Sequence, residues 1–300
     1  SSNPLFLKAL KKEQLSTPPI WYMRQAGRYM PEYRKIRSKF KNFLDMCKDP
    51  EVCCELALQP IEAFSLDAAI LFSDILTIPD ALGLKVKFVE KEGPIFENPI
   101  KSVDDVNNLI PFNPDKLSYV YDAVTNIKNA LPSYIPLIGF CGSPWTLAAY
   151  SIEGRSSKSF DKTIKFIMNN MDEAHLLLSR LTDACFLYLR KQVQAGADVI
   201  QIFDSWANIL DNKQLNNLSF NYIKSLIIAL KQDPVTSNTP IILFSREPNC
   251  NSKTLIETSA DCISLYLSMN DFDVELARGK TALQGNLDPK ILLKSEEVIK

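Results

Sequence analysis

The segment "MRQAGRYMPEYRKIR", Met23 to Arg37, sets four arginines and one lysine into fifteen residues of a chain whose formal net charge is only −1. Arginine presents a planar fork that grips carboxylate or phosphate through two parallel hydrogen bonds and stays charged at every physiological pH. Arg24 and Arg28 stand four apart, so they project from one face if the loop turns helical. Two readings of that face compete: a solvated basic surface, and the cationic wall of a cleft for an anion. Tyr22, Met23, Tyr29, Met30 and Tyr33 interleave the charges, which suits the walled cleft better. Nucleic acid would call for broader positive charge and a recognisable module; neither is present, and no nucleic-acid partner is expected.

Asp74 is the second pointed residue. It follows the apolar run "AAILFS", which places a carboxylate in a partly desolvated mouth where an ionised group needs compensating donors. A helix N-cap or a buried ion-pair partner would explain it equally well. Tyr150 and Ser205 offer hydroxyls to a polar ligand, against the plainer readings of a core tyrosine and a turn serine. The sole histidine, His175, lies within a long helical pattern, away from these residues. One histidine and scattered cysteines do not make a zinc site, and a Ser-His-Asp triad has no suitable histidine. No metal is expected.

These residues are punctuation between apolar runs. Strands are predicted at "PIWYM" (19–23), "AAILF" (68–72), "PLIGF" (136–140), "DVIQIF" (198–203), "PIILF" (240–244), "CISLYL" (262–267) and "TALQG" (281–285). Helices are predicted at Pro50–Phe64, Lys116–Ala130, Ser159–Gln194, Lys213–Lys231 and Ser252–Ser259, with an added hairpin near residues 84–100. Near-continuous apolar strands alternating with amphipathic helices imply a parallel sheet covered on both faces. No GxGxxG or GxxxxGK[ST] follows an early strand, so a nucleotide-binding doubly wound sheet is unsupported. The expectation is one domain over residues 1–300, an α/β chain folded as a (β/α)8 TIM barrel that lacks its eighth β/α unit in this chain. In such a barrel the chemistry sits where the strands end, and Arg24, Arg28, Asp74, "CGSPWTLAAY" and "FDSWAN" all follow predicted strands.

The 300 residues are 46% hydrophobic and 23% charged, an ordinary globular composition. The seven cysteines are odd in number and lack CxxC spacing, which points to free thiols in a reducing compartment. The amino-terminal stretch reads as an amphipathic first helix and not as a signal peptide. No run of 18 apolar residues exists, so no membrane span is expected. A cytoplasmic protein is the resulting expectation.

Taken together, "MRQAGRYMPEYR", "CCELALQPI", "DAAILFSDIL", "PLIGFCGSPWTLAAY", "QIFDSWA" and "LQGNLDP" resemble the uroporphyrinogen decarboxylase family, in the right order from residue 4 to about 298. The resemblance implies a (β/α)8 barrel, usually a homodimer, that uses no cofactor or metal. It implies removal of carbon dioxide from the four acetate side chains of uroporphyrinogen III to give coproporphyrinogen III in haem biosynthesis. By the same resemblance, Arg24 and Arg28 meet substrate carboxylates and Gln25 makes a neighbouring contact. Asp74 binds the pyrrole NH groups, Phe203 forms a wall, and Tyr150 and Ser205 are hydroxyl-bearing site residues. Asp74, Arg24 and Tyr150 are the catalytic candidates, with Arg24 as general acid and Tyr150 or a bound water as its rival.

The chain departs from the family pattern at Arg155, in a stretch that is usually glycine-rich, at Asn208 after "SWA", and at Tyr266-Leu267 in place of "DW". The family's C-terminal "NLGH" segment, with its histidine, is also absent. A truncated homologue that binds tetrapyrrole without turning it over is therefore an alternative. A cobalamin-dependent methyltransferase shares the barrel, but the His-x-Cys of that group is not in this sequence.

Overall fold

Sheet and helices follow from how each strand spends its two faces. The structure is a computed structural model that describes residues 4–246, 252–265 and 271–299. Among the described residues eight strands are defined: β1 (Ala69–Ile70), β2 (Val86–Val89), β3 (Gly93–Phe96), β4 (Leu137–Gly142), β5 (Val199–Asp204), β6 (Ile241–Ser245), β7 (Cys262–Ser264) and β8 (Ala282–Gln284). Six of them form one parallel sheet in the order β1-β4-β5-β6-β7-β8, so neighbours in the chain are neighbours in the sheet, with only the β2–β3 hairpin inserted. Along each strand, side chains alternate between two apolar compartments. Leu137, Ile200, Ile202, Ile241, Leu243 and Ile263 pack outward against Val124, Ile127, Leu181, Leu189, Leu226 and Leu230 of the helices. The residues between them, Ile138, Val199, Ile242 and Cys262, form a separate cluster with Ala68.

That second cluster is closed at the amino-terminal ends of the strands by the Leu5–Leu10 helix, whose Phe6 and Leu10 are both buried in it. Burying two such side chains contributes about 1.5–3 kcal/mol each. Helices outside and a capped apolar filling inside are the layering of a (β/α)8 barrel, which leaves the opposite rim, at the strands' carboxyl ends, open for a site.

The helices form where local chemistry starts them. In the Pro50–Ala63 helix, Asp49 accepts hydrogen bonds from the N–H groups of Glu51 and Val52, and Pro50 occupies the first turn, where no N–H is missed. In the Pro144–Glu153 helix, the Ser143 hydroxyl accepts from the Thr146 N–H, and Gly154 ends the helix in the left-handed region at φ 80°.

Three expectations are corrected. Residues 19–23 form no strand: Ile20 alone exchanges bonds with Asp67, its N–H going to Asp67 Oδ2 at 2.6 Å and its carbonyl receiving the Asp67 N–H at 2.9 Å. Pro18 and Pro19 have no N–H to give a ladder, and the Asp67 carboxylate takes the donor that a neighbouring strand would need. Trp21 nonetheless packs against the inner cluster. The parallel sheet accordingly has six strands among the described residues, and not seven.

The helix expected over Ser159–Gln194 is two, Asp161–Asn169 and Met171–Ala195, broken at Asn170 (φ −141°, ψ 57°), whose side chain donates back to the Phe166 carbonyl at 3.2 Å. Asparagine competes with the helix for its own backbone in this way. Finally, Arg24 to Met30 is a loop and not a helix, the helix beginning only at Pro31.

The other predicted elements are present with shifted ends, including Ser118–Ala130, Asn221–Gln232 and Ser252–Glu257. The hairpin pairs Val86 with Phe96 through Val89 with Gly93 and leans on the end of the Pro144–Glu153 helix, the Phe96 N–H donating to the Gly154 carbonyl. Arg155 there bridges to Ile95 and faces Glu92 at 3.9 Å, an exposed pair of little energetic weight. Asn208 lies in the single turn Ala207–Ile209. Residues 266–267, at the end of the predicted "CISLYL" strand, and Cys250 lie outside the described residues. The six described cysteines form no disulfide.

Candidate active site

Arg24 and Arg28 line one cleft of about 480 Å³, together with Tyr29, Tyr33, Phe43 and Phe72. Loop geometry, and not a helical face, brings them together: Gly27 accepts the Met30 N–H at 2.9 Å, and Arg34 Nη1 holds the Arg28 carbonyl at 2.7 Å. Both guanidinium side chains are exposed, as groups that must reach a ligand are. Burial raises the Tyr29 and Tyr33 hydroxyl pKa values, while Arg24 acts on the first and Arg37 and Arg28 on the second in the opposite sense.

Gln25 is buried between the two arginines, its backbone carbonyl accepting from the Tyr29 hydroxyl. Neither its Oε1 nor its Nε2 has a protein partner. A buried amide in that state costs roughly 1–3 kcal/mol per group. That penalty is tolerated where a ligand or ordered water completes the bonding.

Phe72 belongs to the cleft wall, and two residues beyond it stands Asp74. Asp74 Oδ1 accepts the Leu76 N–H at 2.8 Å, closing a turn ahead of the short Thr77–Pro79 helix; the N-cap of that helix is Leu76, with no side-chain bond, so Asp74 is not its cap. Asp74 as a residue is half-buried. Burial pushes its pKa up to about 6, only partly offset by the Leu76 bond. An aspartate held there is ionised at neutral pH at a cost, which marks functional sites more often than structural ones.

Tyr150 sits two turns into the helix that follows β4, with its ring edge-on to Phe160 at 6.1 Å and to Trp206 at 5.9 Å. Burial raises its pKa, the Asp74 carboxylate raises it further, and Arg246 acts against both. Asp74 and Tyr150 therefore share one electrostatic environment. Phe203 occupies the carboxyl end of β5, T-shaped on Phe140 at 5.6 Å and tilted on Phe244 at 6.0 Å. Ser205 follows directly, half-buried in the turn. The arginine cleft is not lined by Asp74, Tyr150, Phe203 or Ser205, of which Asp74, Phe203 and Ser205 lie at or after strand ends and Tyr150 in the helix that follows β4. His175 lies apart, its Nδ1 2.6 Å from the Tyr222 hydroxyl and its ring stacked on that tyrosine.

Sequence reasoning passed over Asp204, Trp206 and Arg246. Asp204 is fully buried and accepts hydroxyl bonds from Ser143 at 2.6 Å, Ser219 at 2.5 Å and Thr146 at 3.3 Å. Thr146 Oγ1 in turn accepts the Trp206 N–H at 3.3 Å, and Trp145 Nε1 donates to the Trp206 carbonyl at 3.0 Å. This network ties the turn bearing Ser205 to the helix bearing Tyr150. Arg246 follows β6, its guanidinium 5.5 Å from the Trp206 ring centroid. The rule that located Asp74, a polar residue directly after an apolar strand, locates Arg246 equally well. Among the described residues, no three His, Cys, Asp or Glu side chains converge to hold a metal ion.

A known architecture matches this arrangement. A methyltransferase from Methanosarcina mazei superposes with a TM-score of 0.73 at 18% identity, over 95% of this chain and 83% of its own, a likeness of fold alone. The chain also matches the uroporphyrinogen decarboxylase family over residues 1–300. The uroporphyrinogen decarboxylase of Hydrogenovibrio crunogenus is 44% identical over 300 residues, 99% of this chain and 85% of the relative. That of Acinetobacter baylyi is 46% identical over 295 residues, 98% of this chain and 82% of the relative. The chain belongs to the uroporphyrinogen decarboxylase family, and its fold is the family's TIM barrel.

Proposed function

We propose that the chain decarboxylates uroporphyrinogen in haem biosynthesis, converting the four acetate side chains of uroporphyrinogen III to methyl groups and giving coproporphyrinogen III. The observation that carries this reading is the pairing of Arg24 and Arg28 in one cleft with a desolvated aspartate, Asp74, just beyond its wall. Uroporphyrinogen is an octa-anion with four pyrrole NH groups. Exposed arginines attract and orient its carboxylates, and a fixed carboxylate receives its NH groups.

The chemistry follows. Protonating the ring α-carbon next to the one that bears the acetate makes an iminium-like cation conjugated with the acetate-bearing carbon. The ionised Asp74, poorly solvated and already in place, stabilises that charge more strongly than water could. The bond to carbon dioxide then breaks, and its electron pair neutralises the cation to leave an exocyclic methylene. That carbon takes a proton and the ring carbon gives its own back, so each round consumes one proton and releases one carbon dioxide. Arg24 is the family's candidate donor, though guanidinium is a very weak acid. Tyr150 is the rival: its raised pKa keeps it protonated at neutral pH, and it senses the Asp74 charge. Gln25, Phe203 and Ser205 complete the substrate contacts. The same reading includes a single domain, a cytoplasmic homodimer, and no cofactor, metal, nucleic-acid or membrane partner. No helix of the described residues is long and apolar enough to cross a membrane.

Anaerobic incubation with uroporphyrinogen III, with products separated by carboxylate number, tests the proposal. Hepta- to tetracarboxylate products are expected. Binding of coproporphyrinogen III without turnover of the octacarboxylate would replace the enzyme with a tetrapyrrole-binding module. In the same assay Arg28→Ala should raise KM roughly 10- to 100-fold, the worth of a charged hydrogen bond, with kcat changed far less. An unchanged KM would remove Arg28 from carboxylate binding.

A further inference from the structure

The basic segment continues past the two cleft arginines. Residues 24–41 carry seven of the chain's 34 lysines and arginines and only one of its 35 acids, Glu32. Arg24 and Arg28 line the cleft, whereas Arg34, Lys35, Lys39 and Lys41 are exposed beyond it. The fold keeps them near its mouth. Tyr33 and Phe43 are both cleft-wall residues and pack on the same ring, Phe72, at 6.2 Å and 6.1 Å. The chain between them therefore leaves the cleft wall and returns to it. Lys35 and Lys41 each stand two residues from a wall residue, within about 8 Å at the Cα atoms. Physiological salt screens a charge over about the same distance, roughly 8 Å. The segment's apolar side is anchored, with Ile36 buried among Met30, Met46 and Leu56 and Phe40 packed against them. Arg37 Nη1 holds the Phe40 carbonyl at 2.8 Å, which fixes the turn between Lys35 and Lys41. No carboxylate among the described residues lies within ion-pair distance of Lys35, Lys39 or Lys41.

We propose that Arg34, Lys35, Lys39 and Lys41 form a cationic collar at the lip of the arginine cleft, which docks the polycarboxylate and sorts ligands by how many carboxylates they carry. The inference rests on the decarboxylase reading and adds a basis for substrate selectivity to it. Uroporphyrinogen enters with eight carboxylates and coproporphyrinogen leaves with four. A field that acts through solvent needs no bond to any one carboxylate, and its pull weakens as the ligand loses charge. The collar therefore holds the octacarboxylate most strongly and the product least. Partly processed intermediates are retained for further rounds, and the tetracarboxylate is let go.

The test substitutes Lys35→Gln, Lys39→Gln and Lys41→Gln together. A control with Lys8→Gln, Lys11→Gln and Lys12→Gln makes the same change of net charge on and beside the Leu5–Leu10 helix, at the opposite end of the barrel. Anaerobic turnover and equilibrium binding of uroporphyrinogen III and coproporphyrinogen III are measured from about 20 mM to about 500 mM sodium chloride, which spans weak to strong screening. At low salt the collar variant should bind uroporphyrinogen III about tenfold more weakly, a factor of about two for each unit-charge contact roughly 10 Å apart in water. Coproporphyrinogen III should lose about threefold, having half the carboxylates. The difference between variant and unsubstituted chain should close at high salt, with kcat and Tm unmoved. Lys→Arg at the same three positions should keep the affinity, because the field depends on charge and not on the donor. Equal binding and equal salt dependence in the collar variant and the unsubstituted chain overturn the proposal. So does an equal loss in both Gln variants, which would trace the effect to overall net charge. Either result can occur with turnover intact, leaving the decarboxylase reading in place. If the unsubstituted chain binds uroporphyrinogen III without turnover, the decarboxylase reading falls and the collar is upheld or rejected by the same binding comparison. A chain that binds neither tetrapyrrole rejects both.

Discussion

Asp74→Asn should lower kcat for uroporphyrinogen by about 10²- to 10³-fold, the usual cost of deleting a pre-aimed electrostatic stabiliser, and should leave the chain folded. The isosteric amide keeps an oxygen to accept the Leu76 N–H, so the turn that Asp74 closes survives. What disappears is the charge opposite the developing cation. The pH dependence of the unsubstituted chain should report the same group. With a pKa near 6, activity should fall about tenfold per unit as pH drops below that value, and this limb should be missing from Asp74→Asn.

Stability should move the other way. Folded Asp74 binds its proton more tightly than it does in the unfolded chain, where the value is 3.8. Its contribution therefore favours the folded state least once pH has risen past about 6 and the buried carboxyl is ionised. The ionised group then costs at most on the order of 3 kcal/mol. At pH 7 the inactive Asp74→Asn variant should unfold several degrees higher than the active chain. An active variant, or one with lower Tm at pH 7, would remove Asp74 from this role.

Asp204→Ala should have the largest effect on stability, a loss of about 3 kcal/mol or more read as a lower urea midpoint at unchanged m. The carboxylate collects three hydroxyl donors from Ser143, Thr146 and Ser219 in a site with no water access. Truncation leaves all three unpaired and opens a void beside them. Burial raises the Asp204 pKa, and the three hydroxyl bonds hold it down; the group is a fixed acceptor at the junction of β5 with the Pro144–Glu153 helix. Turnover should fall as well, because Ser205 and Tyr150 lose their common anchor. Asp204→Asn keeps one acceptor and adds a donor that the rotatable hydroxyls can accommodate, so its loss should be smaller. Equal losses for Ala and Asn would show that the charge matters more than the hydrogen-bond geometry.

Much of this protein is written locally. The runs at 136–140, 198–203 and 240–244 are near-continuously apolar, and a strand buried on both sides calls for that. Asp49-Pro50 and Ser143-Pro144 start helices through bonds between residues two or three apart, without help from the rest of the chain. The placing of Asp74 and Ser205 after strands was legible for the same reason, since strand ends are read from a period of two.

The rest was decided between distant residues. "PIWYM" has the composition of a strand, but the carboxylate of Asp67, 47 positions along, took the donor at Ile20, and two prolines had none to offer. Arg24 and Arg28 line one cleft because Arg34 and Met30 bond back across the loop, not because four-residue spacing coiled it. Asp204 acquired its partners 15, 58 and 61 positions away, and Arg246 its aromatic bed on the neighbouring strand's turn. Spacing along the chain states which side chains can share a helix or strand. Which strand ends meet around a rim, and therefore which charges face one ligand, is set only when the apolar faces on both sides of the sheet are buried at once.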